Sequence, residues 1–318
     1  MESSAIADRR QLRRKLSFWR IVAVLLLIGL GFAFYRFAGG ELGAGRKPQI
    51  ARVAITGVIQ DDKELLERLK TIEDDNQVKA LIVSISSPGG TTYGGERIFK
   101  AIRAVAAKKP VVSDIRTMAA SAGYLVAAAG DTIVAGDTSI TGSIGVLLQY
   151  PQVKDLLDKL GVSMEAIKSS PMKAEPSPFH PPSDEAKAMI NNMVMDSYGW
   201  FVDLVADRRK LPRDQVLKLA DGSIFTGRQA LANKLVDSLG GDDDIRAYLE
   251  TRKVGKDLPV FDWDAPRRTS PFFLPGAAAD IIKLLGYGDF IKGDGAQKLL
   301  SEKLFLDGLL SVWQGDAH

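Results

Sequence analysis

The chain of 318 residues contains no cysteine. It therefore has no disulfide framework, no thiolate nucleophile, no Cys-ligated zinc and no iron–sulfur cluster. Histidine is almost absent too, because His180 and His318 are the only two. A three-histidine zinc site is thus excluded, and a Ser-His-Asp triad would have to use one of these two residues. If the protein is an enzyme, we expect its general base not to be histidine, and we expect neither a metal nor another cofactor.

Charge is distributed unevenly along the chain. The net charge of +3 combines +6 over residues 1–47 with −3 over the remainder. Arginine-rich residues 1–20 are followed by 15 uncharged residues, 21–35. As a helix, this run would span about 22 Å, which is less than the ~30 Å hydrocarbon core of a bilayer. Aromatic residues extend the apolar stretch at both ends, and the flanking arginines are able to snorkel to the interfaces.

This pattern favours an uncleaved, single-pass transmembrane anchor at residues 21–37, with a basic cytoplasmic segment, 1–20, before it and a linker, 38–48, after it. A cleavable signal peptide is an alternative, although the run lacks a clean Ala-x-Ala site. A buried core helix is a third interpretation. The positive-inside rule predicts a cytoplasmic N-terminus and places the rest of the chain on the periplasmic, extracytoplasmic side of a bacterial inner (plasma) membrane.

Short β-rich apolar runs alternate with amphipathic helical patterns after the linker. The predicted strands are 51–55, 80–85, 110–112 and 133–135, and the predicted helical segments are 62–72, 98–105 and 183–219, followed by a strand-helix unit at 222–239. This succession predicts an α/β core with a mostly parallel sheet. Prolines interrupt the pattern after about residue 255. We therefore assign residues 49–252 to one α/β domain and 253–318 to a C-terminal extension.

Two segments that follow strands combine small residues with groups suited to catalysis. In Ser87-Pro88-Gly89-Gly90, paired glycines would expose backbone N–H groups to an oxyanion or a phosphate, but a plain strand-to-helix turn explains them as well. Residues 118–124 surround Ser121 with alanine and glycine. A nucleophilic serine needs such neighbours for substrate access and for an oxyanion donor at the next N–H, whereas close helix–sheet packing favours the same composition.

A third segment contains Ser170 and Lys173 as S-x-x-K. This is the acylation motif of penicillin-binding proteins and β-lactamases, but the accompanying K-T-G and S-D-N elements are missing. Pro171 is also unfavourable in the helix that this motif requires. Considered alone, Lys173 is equally well explained as a solvated surface lysine.

Taken together with two later stretches, these segments resemble the short form of signal peptide peptidase A (SppA). This is a family of membrane-anchored serine proteases with a Ser/Lys dyad and a Clp protease/crotonase-like α/β fold of repeated β-β-α units. The matching stretches fall in order across about residues 50–245. They are Ser87-Pro88-Gly89-Gly90, Ala120-Ser121-Ala122-Gly123-Tyr124, Thr141-Gly142-Ser143-Ile144-Gly145-Val146, Lys173 before Pro178-Phe179, and Phe225-Thr226-Gly227-Arg228-Gln229-Ala230 with Leu235-Val236-Asp237.

The resemblance implies that residues 49–252 form a catalytic domain in which Ser121 is the nucleophile and Lys173 the general base. It also implies that the backbone N–H groups of Gly90, which follows Gly89, and of Ala122 form an oxyanion hole. The chain departs from the pattern at Ala122, where glycine is common in relatives, but alanine keeps the N–H. A lysine accepts a proton only as a free amine, so its pKa must fall from about 10.4, and apolar neighbours would favour that.

The resemblance further implies that Ser143 hydrogen-bonds and orients the lysine amine, although a strand-to-turn cap is the structural alternative for this residue. It implies a ring of identical subunits with active sites completed across interfaces, because a short-form chain has one half of the tandem long form. The expected substrates are cleaved signal peptides and other apolar peptides, with no nucleic acid partner. Two alternatives remain, namely a crotonase-like acyl-CoA enzyme and a non-catalytic membrane scaffold.

The C-terminal extension, 253–318, matches no pattern in the resemblance. Its leucine and aromatic content suits three roles, which are covering a subunit interface, contacting the membrane or capping the catalytic cavity. Docking onto its own domain is the simplest interpretation.

Overall fold

The computed structural model describes residues 19–31, 47–263 and 310–312. They belong to two units, one within residues 1–47 and the other within 48–318. In the first unit, residues 19–31 are helical and almost all of their side chains are exposed. Among the described residues, no helix has both the length and the apolar character needed to cross a membrane. Residues 1–18 and 32–37, which complete the predicted cytoplasmic segment and anchor, lie outside the described residues.

The larger unit contains nine strands and eight helices within its described residues. The strands are β1 (Gln49–Ile59), β2 (Val78–Thr91), β3 (Val111–Ala120), β4 (Thr132–Ala135), β5 (Ile140–Gly142), β6 (Ile224–Thr226), β7 (Ser238–Leu239), β8 (Val260–Asp262) and β9 (Leu310–Val312). The helices are α1 (Lys63–Asp74), α2 (Thr92–Ala106), α3 (Ala122–Ala127), α4 (Lys154–Lys159), α5 (Asp184–Arg209), α6 (Arg213–Leu219), α7 (Gly227–Ala232) and α8 (Asp242–Thr251).

All of these strands join one sheet. Its main path runs β6-β5-β3-β2-β1-β8, while β4 pairs with β3 and β7, and β9 pairs with β2. The pairs β5–β6 and β2–β9 are antiparallel, and the other pairs are parallel. Helices α1 and α2 provide the crossovers that parallel neighbours require. The predicted α/β class is confirmed, and the sheet also includes β8 and β9 from the predicted C-terminal extension.

Apolar side chains cover both faces of the sheet. Along β2, Leu81 and Val83 point into the larger core cluster, which also contains apolar residues of α1, α2 and α5. Ala80 and Ile82 point to the opposite face and pack with Ile245 of α8. This continuous burial, rather than a polar/apolar alternation, is typical of a parallel strand enclosed between two helical layers.

The strand β3 separates from β2 just before it ends. It pairs with β2 as far as the register pair Ser87↔Ala119, and its last residues also pair with β5, ending at Ala120↔Gly142. Beyond Ser87, β2 keeps β1 on one edge and pairs with β9 at Gly89–Thr91. Because a strand has only two edges, β9 must occupy the edge that β3 leaves. The sheet therefore forks beside the first residue after β3, which is Ser121.

Candidate active site

Ser121 occupies a strained turn between β3 and α3. Its backbone dihedrals are φ 57° and ψ −119°, a combination that costs a non-glycine residue free energy and that persists only where the surroundings enforce it. The Ser121 N–H donates to the Gly142 carbonyl at 2.8 Å, and its carbonyl accepts from Leu125 in α3 at 3.0 Å. A serine on a sharp strand-to-helix turn is the geometry of a nucleophile elbow.

The small residues after Ser121 allow α3 to pack closely against β2. A Cβ at Gly123 would lie 2.9 Å from the Ser87 carbonyl oxygen, so a larger residue would push the helix away from the strand. Ala122 is the first residue of α3, where a helix leaves backbone N–H groups without intrahelical acceptors. Close packing and an N–H group without an intrahelical acceptor thus coexist here, and the two interpretations of the small residues do not compete.

Gly89 and Gly90 end β2 beside this turn. Gly89 has φ 109°, and its N–H donates to the Ser87 hydroxyl at 3.1 Å. The same hydroxyl donates to the Gly57 carbonyl at 2.7 Å, which fixes the strand end against β1. A Cβ at Gly90 would lie 1.9 Å from the Ile59 carbonyl oxygen, so this position has no room for any side chain.

Ser143 shares a cavity with Ser121. It is nearly buried, has φ 50°, and its N–H donates to the Ser223 carbonyl at 2.7 Å. The cavity has a volume of about 400 Å³ and lies between the β3 and β5 ends and helix α5. Its lining residues are Ser121, Ser143, Ile144, Gly145, Val146, Leu147, Val194, Met195, Tyr198, Ala220, Asp221 and Gly222. Most of the side chains that line it are apolar.

Asp221 is a cavity residue that the sequence analysis did not single out. Its carboxylate accepts from the Ser223 N–H at 2.9 Å, and hydrogen bonds from Ser223 hold the pKa of this carboxyl below its usual range. The only sequence signal was the turn-forming Asp221-Gly222-Ser223, which is typical of an Asx turn before a strand. The residue therefore places one negative charge at an otherwise apolar cavity.

Lys173 is not brought to Ser121 within the described chain, because it is exposed and is not among the residues that line this cavity. It lies in a turn where its N–H donates to the Ser170 carbonyl at 3.1 Å, so this S-x-x-K segment is not helical. The structure thus brings together Ser121, Ser143 and the strand end with Gly89 and Gly90, and it leaves the predicted lysine outside the group.

An ion cluster holds the turn that carries Lys173. The Glu175 side chain is only 6% exposed, and its Oε1 lies 2.6 Å from Lys168 Nζ and 3.3 Å from His180 Nε2. Hydrogen bonding from Lys168, aided by His180, holds the pKa of Glu175 below its usual range. The Gln152 side chain also donates to the Ser177 and His180 carbonyls. Lys173 therefore projects from an ordered turn.

Two family models match the chain. The model of peptidase family S49 matches residues 103–255, and the model of Clp protease matches residues 49–136. A protein of Enterococcus faecium named signal peptide peptidase SppA is 36% identical over 70% of this chain and 69% of its own length. The protease slr0021 of Synechocystis is 39% identical over 64% of this chain and 74% of its own length. Protease 4 of Salmonella typhi is 36% identical over 61% of this chain and 33% of its own length.

Proposed function

The chain belongs to peptidase family S49 and is a serine protease, and from this premise we propose that it hydrolyses peptides with Ser121 as nucleophile and Lys173 as general base. The observation that carries the proposal is the position of Ser121. It lies on a strained strand-to-helix turn, in a cavity shared with Ser143 and beside the glycine end of β2. This arrangement supplies a nucleophile, a hydroxyl to orient a base, and backbone donors.

The proposed reaction is acyl transfer through a tetrahedral intermediate. Ser121 Oγ attacks the scissile carbonyl while the neutral lysine amine takes its proton, and the protonated amine then gives that proton to the leaving amine. The N–H groups of Gly90 and Ala122 stabilise the oxyanion, and removing one such donor from an enzyme typically costs about 10²-fold to 10³-fold in kcat. In the second step the lysine amine takes a proton from water, and the water oxygen attacks the acyl-enzyme carbonyl. The protonated lysine then returns the proton to Ser121 Oγ as the acyl bond breaks.

The lysine in this proposal comes from a neighbouring copy of the chain. Lys173 lies outside its own Ser121 cavity and is exposed. The segment around it exposes several large apolar side chains, among them Leu160, Met164 and Ile167. Contiguous exposed apolar residues mark interaction surfaces, and their burial against a neighbour would favour the neutral amine that a base requires. The chain is thus proposed to act as a homo-oligomeric ring with shared active sites.

The proposed substrates are apolar extended peptides such as cleaved signal peptides. One of the similar proteins is named a signal peptide peptidase, and apolar residues such as Ile144, Leu147 and Met195 dominate the cavity lining. A pocket of this kind should accept small and aliphatic side chains and reject acidic ones, because burying an unpaired charge is costly and Asp221 would repel a second carboxylate. We expect kcat/KM to favour an apolar residue before the scissile bond by at least about tenfold over an acidic one.

A membrane location of the enzyme is part of the proposal. Residues 21–37 would anchor the chain in the inner membrane, with the N-terminus cytoplasmic and the catalytic domain extracytoplasmic. The arginine-rich flank and the exposed apolar side chains of the helical residues 19–31 support this orientation. Alkaline extraction and protease accessibility of spheroplasts test it, and release of the full-length chain by alkali would contradict it.

Hydrolysis of a fluorogenic apolar peptide by the detergent-solubilised chain tests the dyad. We expect Ser121→Ala and Lys173→Ala each to lower kcat by about 10⁴-fold or more, as in other nucleophile–base pairs. Lys218→Ala, which removes an exposed lysine from α6, is the matched control and should leave kcat unchanged. Full turnover in both variants would contradict the dyad, and loss of turnover in Ser121→Ala would exclude the crotonase-like alternative. Absence of labelling by serine-directed reagents would favour a non-catalytic scaffold.

A further inference from the structure

The strand β9 lies on the edge of β2 that the proposed function assigns to an extended peptide substrate. It pairs antiparallel with the end of β2 in the register Gly89↔Val312, Gly90↔Ser311 and Thr91↔Leu310. The middle pair contains Gly90, whose N–H is one of the two proposed oxyanion donors. Cα atoms of β9 also approach those of α3 within 8 Å, so the strand lies near the helix that follows Ser121. Two separate contacts therefore place this tail segment beside the nucleophile.

The edge that β9 occupies is available only because of the fork in the sheet. After Ser87, the strand β3 no longer pairs with β2, while β1 continues on the other edge as far as the pair Ile59↔Gly90. An extended peptide that adds a strand to β2 at this point would gain main-chain hydrogen bonds and would pass the Ser121 turn. Since one strand edge accepts one partner, β9 and such a peptide exclude each other.

We propose that residues 310–312 are a tethered ligand of the substrate-binding edge and that they compete with peptide substrates for it. The proposal rests on the proposed function, because it takes the β2 end as the edge on which peptides are cleaved. A segment of the same chain competes at an effective concentration that the tether sets, independently of enzyme concentration. If the tail is bound nine-tenths of the time, it raises the apparent KM about tenfold and leaves kcat unchanged at saturating substrate.

A proline in β9 tests the competition in the full-length, detergent-solubilised enzyme. Ser311→Pro removes the backbone N–H at the central register pair and disfavours strand pairing. We expect its apparent KM for a fluorogenic apolar peptide to fall severalfold with kcat unchanged. Ser301→Pro introduces the same residue ten positions earlier and should leave KM at the wild-type value. An unchanged KM in Ser311→Pro, or an equal fall in both variants, would overturn the proposal.

A binding measurement separates this proposal from the catalytic one. A fluorescent peptide with the sequence of residues 304–318 is titrated into Ser121→Ala chains that either keep Ser311 or carry Ser311→Pro, with fluorescence anisotropy as the readout. We expect several-fold tighter binding to the proline variant, whose edge is vacant, and no binding of the same peptide with proline at the Ser311 position. Equal affinity for both chains would overturn the proposal. Because the binding measurement requires no turnover, a wrong assignment of Ser121 and Lys173 as the dyad would not by itself give equal affinities.

Discussion

Mixing two inactive variants tests whether one active site takes its residues from two subunits. Ser121→Ala keeps an intact lysine, and Lys173→Ala keeps an intact nucleophile. In the described chain Lys173 is exposed and lies outside the Ser121 cavity, so the proposed reactive pair would be assembled from two copies. In a closed ring with head-to-tail interfaces, each Ser121 would face the lysine of one particular neighbour.

The expected activity follows from counting sites. With equal amounts and random assembly, half of the subunits carry the serine and half of their relevant neighbours carry the lysine, so about one quarter of the sites are complete in a heterologous ring. At a nine-to-one ratio of the two variants, the complete fraction falls to about 9% for the same reason. Activity should therefore be greatest at an equal ratio of the two variants. Activity from contaminating wild-type enzyme would not show a maximum at that ratio.

Co-expression with two different affinity tags and sequential purification yields the mixed oligomers, and peptide hydrolysis is measured per subunit. As a control, wild-type chains are mixed equally with the Ser121→Ala/Lys173→Ala double variant. A shared site predicts about one quarter of wild-type activity for this control, whereas a site within one chain predicts about one half. Inactive single-variant mixtures together with a half-active control would refute the shared site.

Three further substitutions test individual contacts. Ser143→Ala should lower kcat about tenfold to hundredfold with KM nearly unchanged, because the amine loses the group that orients it, and an unchanged kcat would leave Ser143 a purely structural role. Glu175→Gln should speed limited proteolysis of the Lys173 turn at neutral pH, because the pKa of Glu175 is lowered by Lys168 and the ion pair is present above the usual carboxyl pKa. The wild-type rate should approach that of the variant only as pH falls through the lowered pKa, and equal rates at neutral pH would contradict this. Tyr124→Phe should lower the free energy of unfolding by about 1–3 kcal/mol in chemical denaturation, because the buried Tyr124 hydroxyl donates to the Leu235 carbonyl at 2.9 Å, and an unchanged midpoint would contradict it.

The sequence predicted the central strands because they are short apolar runs, and it predicted the helices from apolar residues at helical spacing. The helix predicted at 62–72 is observed as α1, with Leu65, Leu69 and Ile72 buried at helical spacing. The helical block predicted at 183–219 is observed as α5 and α6. In α1 local spacing determines which face is buried, whereas α5 buries only Ala186, Phe201, Val202 and Val205.

The sequence did not predict β8 or β9, because each has three residues and its pairing partner is far away in the chain. β8 pairs with β1, and β9 with β2, across separations of about two hundred residues that no local pattern encodes. The surroundings of Ser121 were not predicted for the same reason, because they too depend on pairing between segments that are distant in the chain. The surroundings of Ser121 depend on where β3 separates from β2 while it stays paired with β5, whereas the motifs report only which residues are small.

The pairing of β3 also indicates where the chain should tolerate insertions. Between Ile115 and Met118, β3 passes from its β4 pairing to its β5 pairing, and one added residue there would reverse the faces of every later side chain up to Ser121. By contrast, the long connection from β5 to α5 contains only the short helix α4 and is mostly exposed. Variation in length should therefore accumulate in that connection, which also carries Lys173. The proposed base would then change its reach in the course of evolution while the proposed nucleophile stays fixed, so that new subunit arrangements need not disturb Ser121.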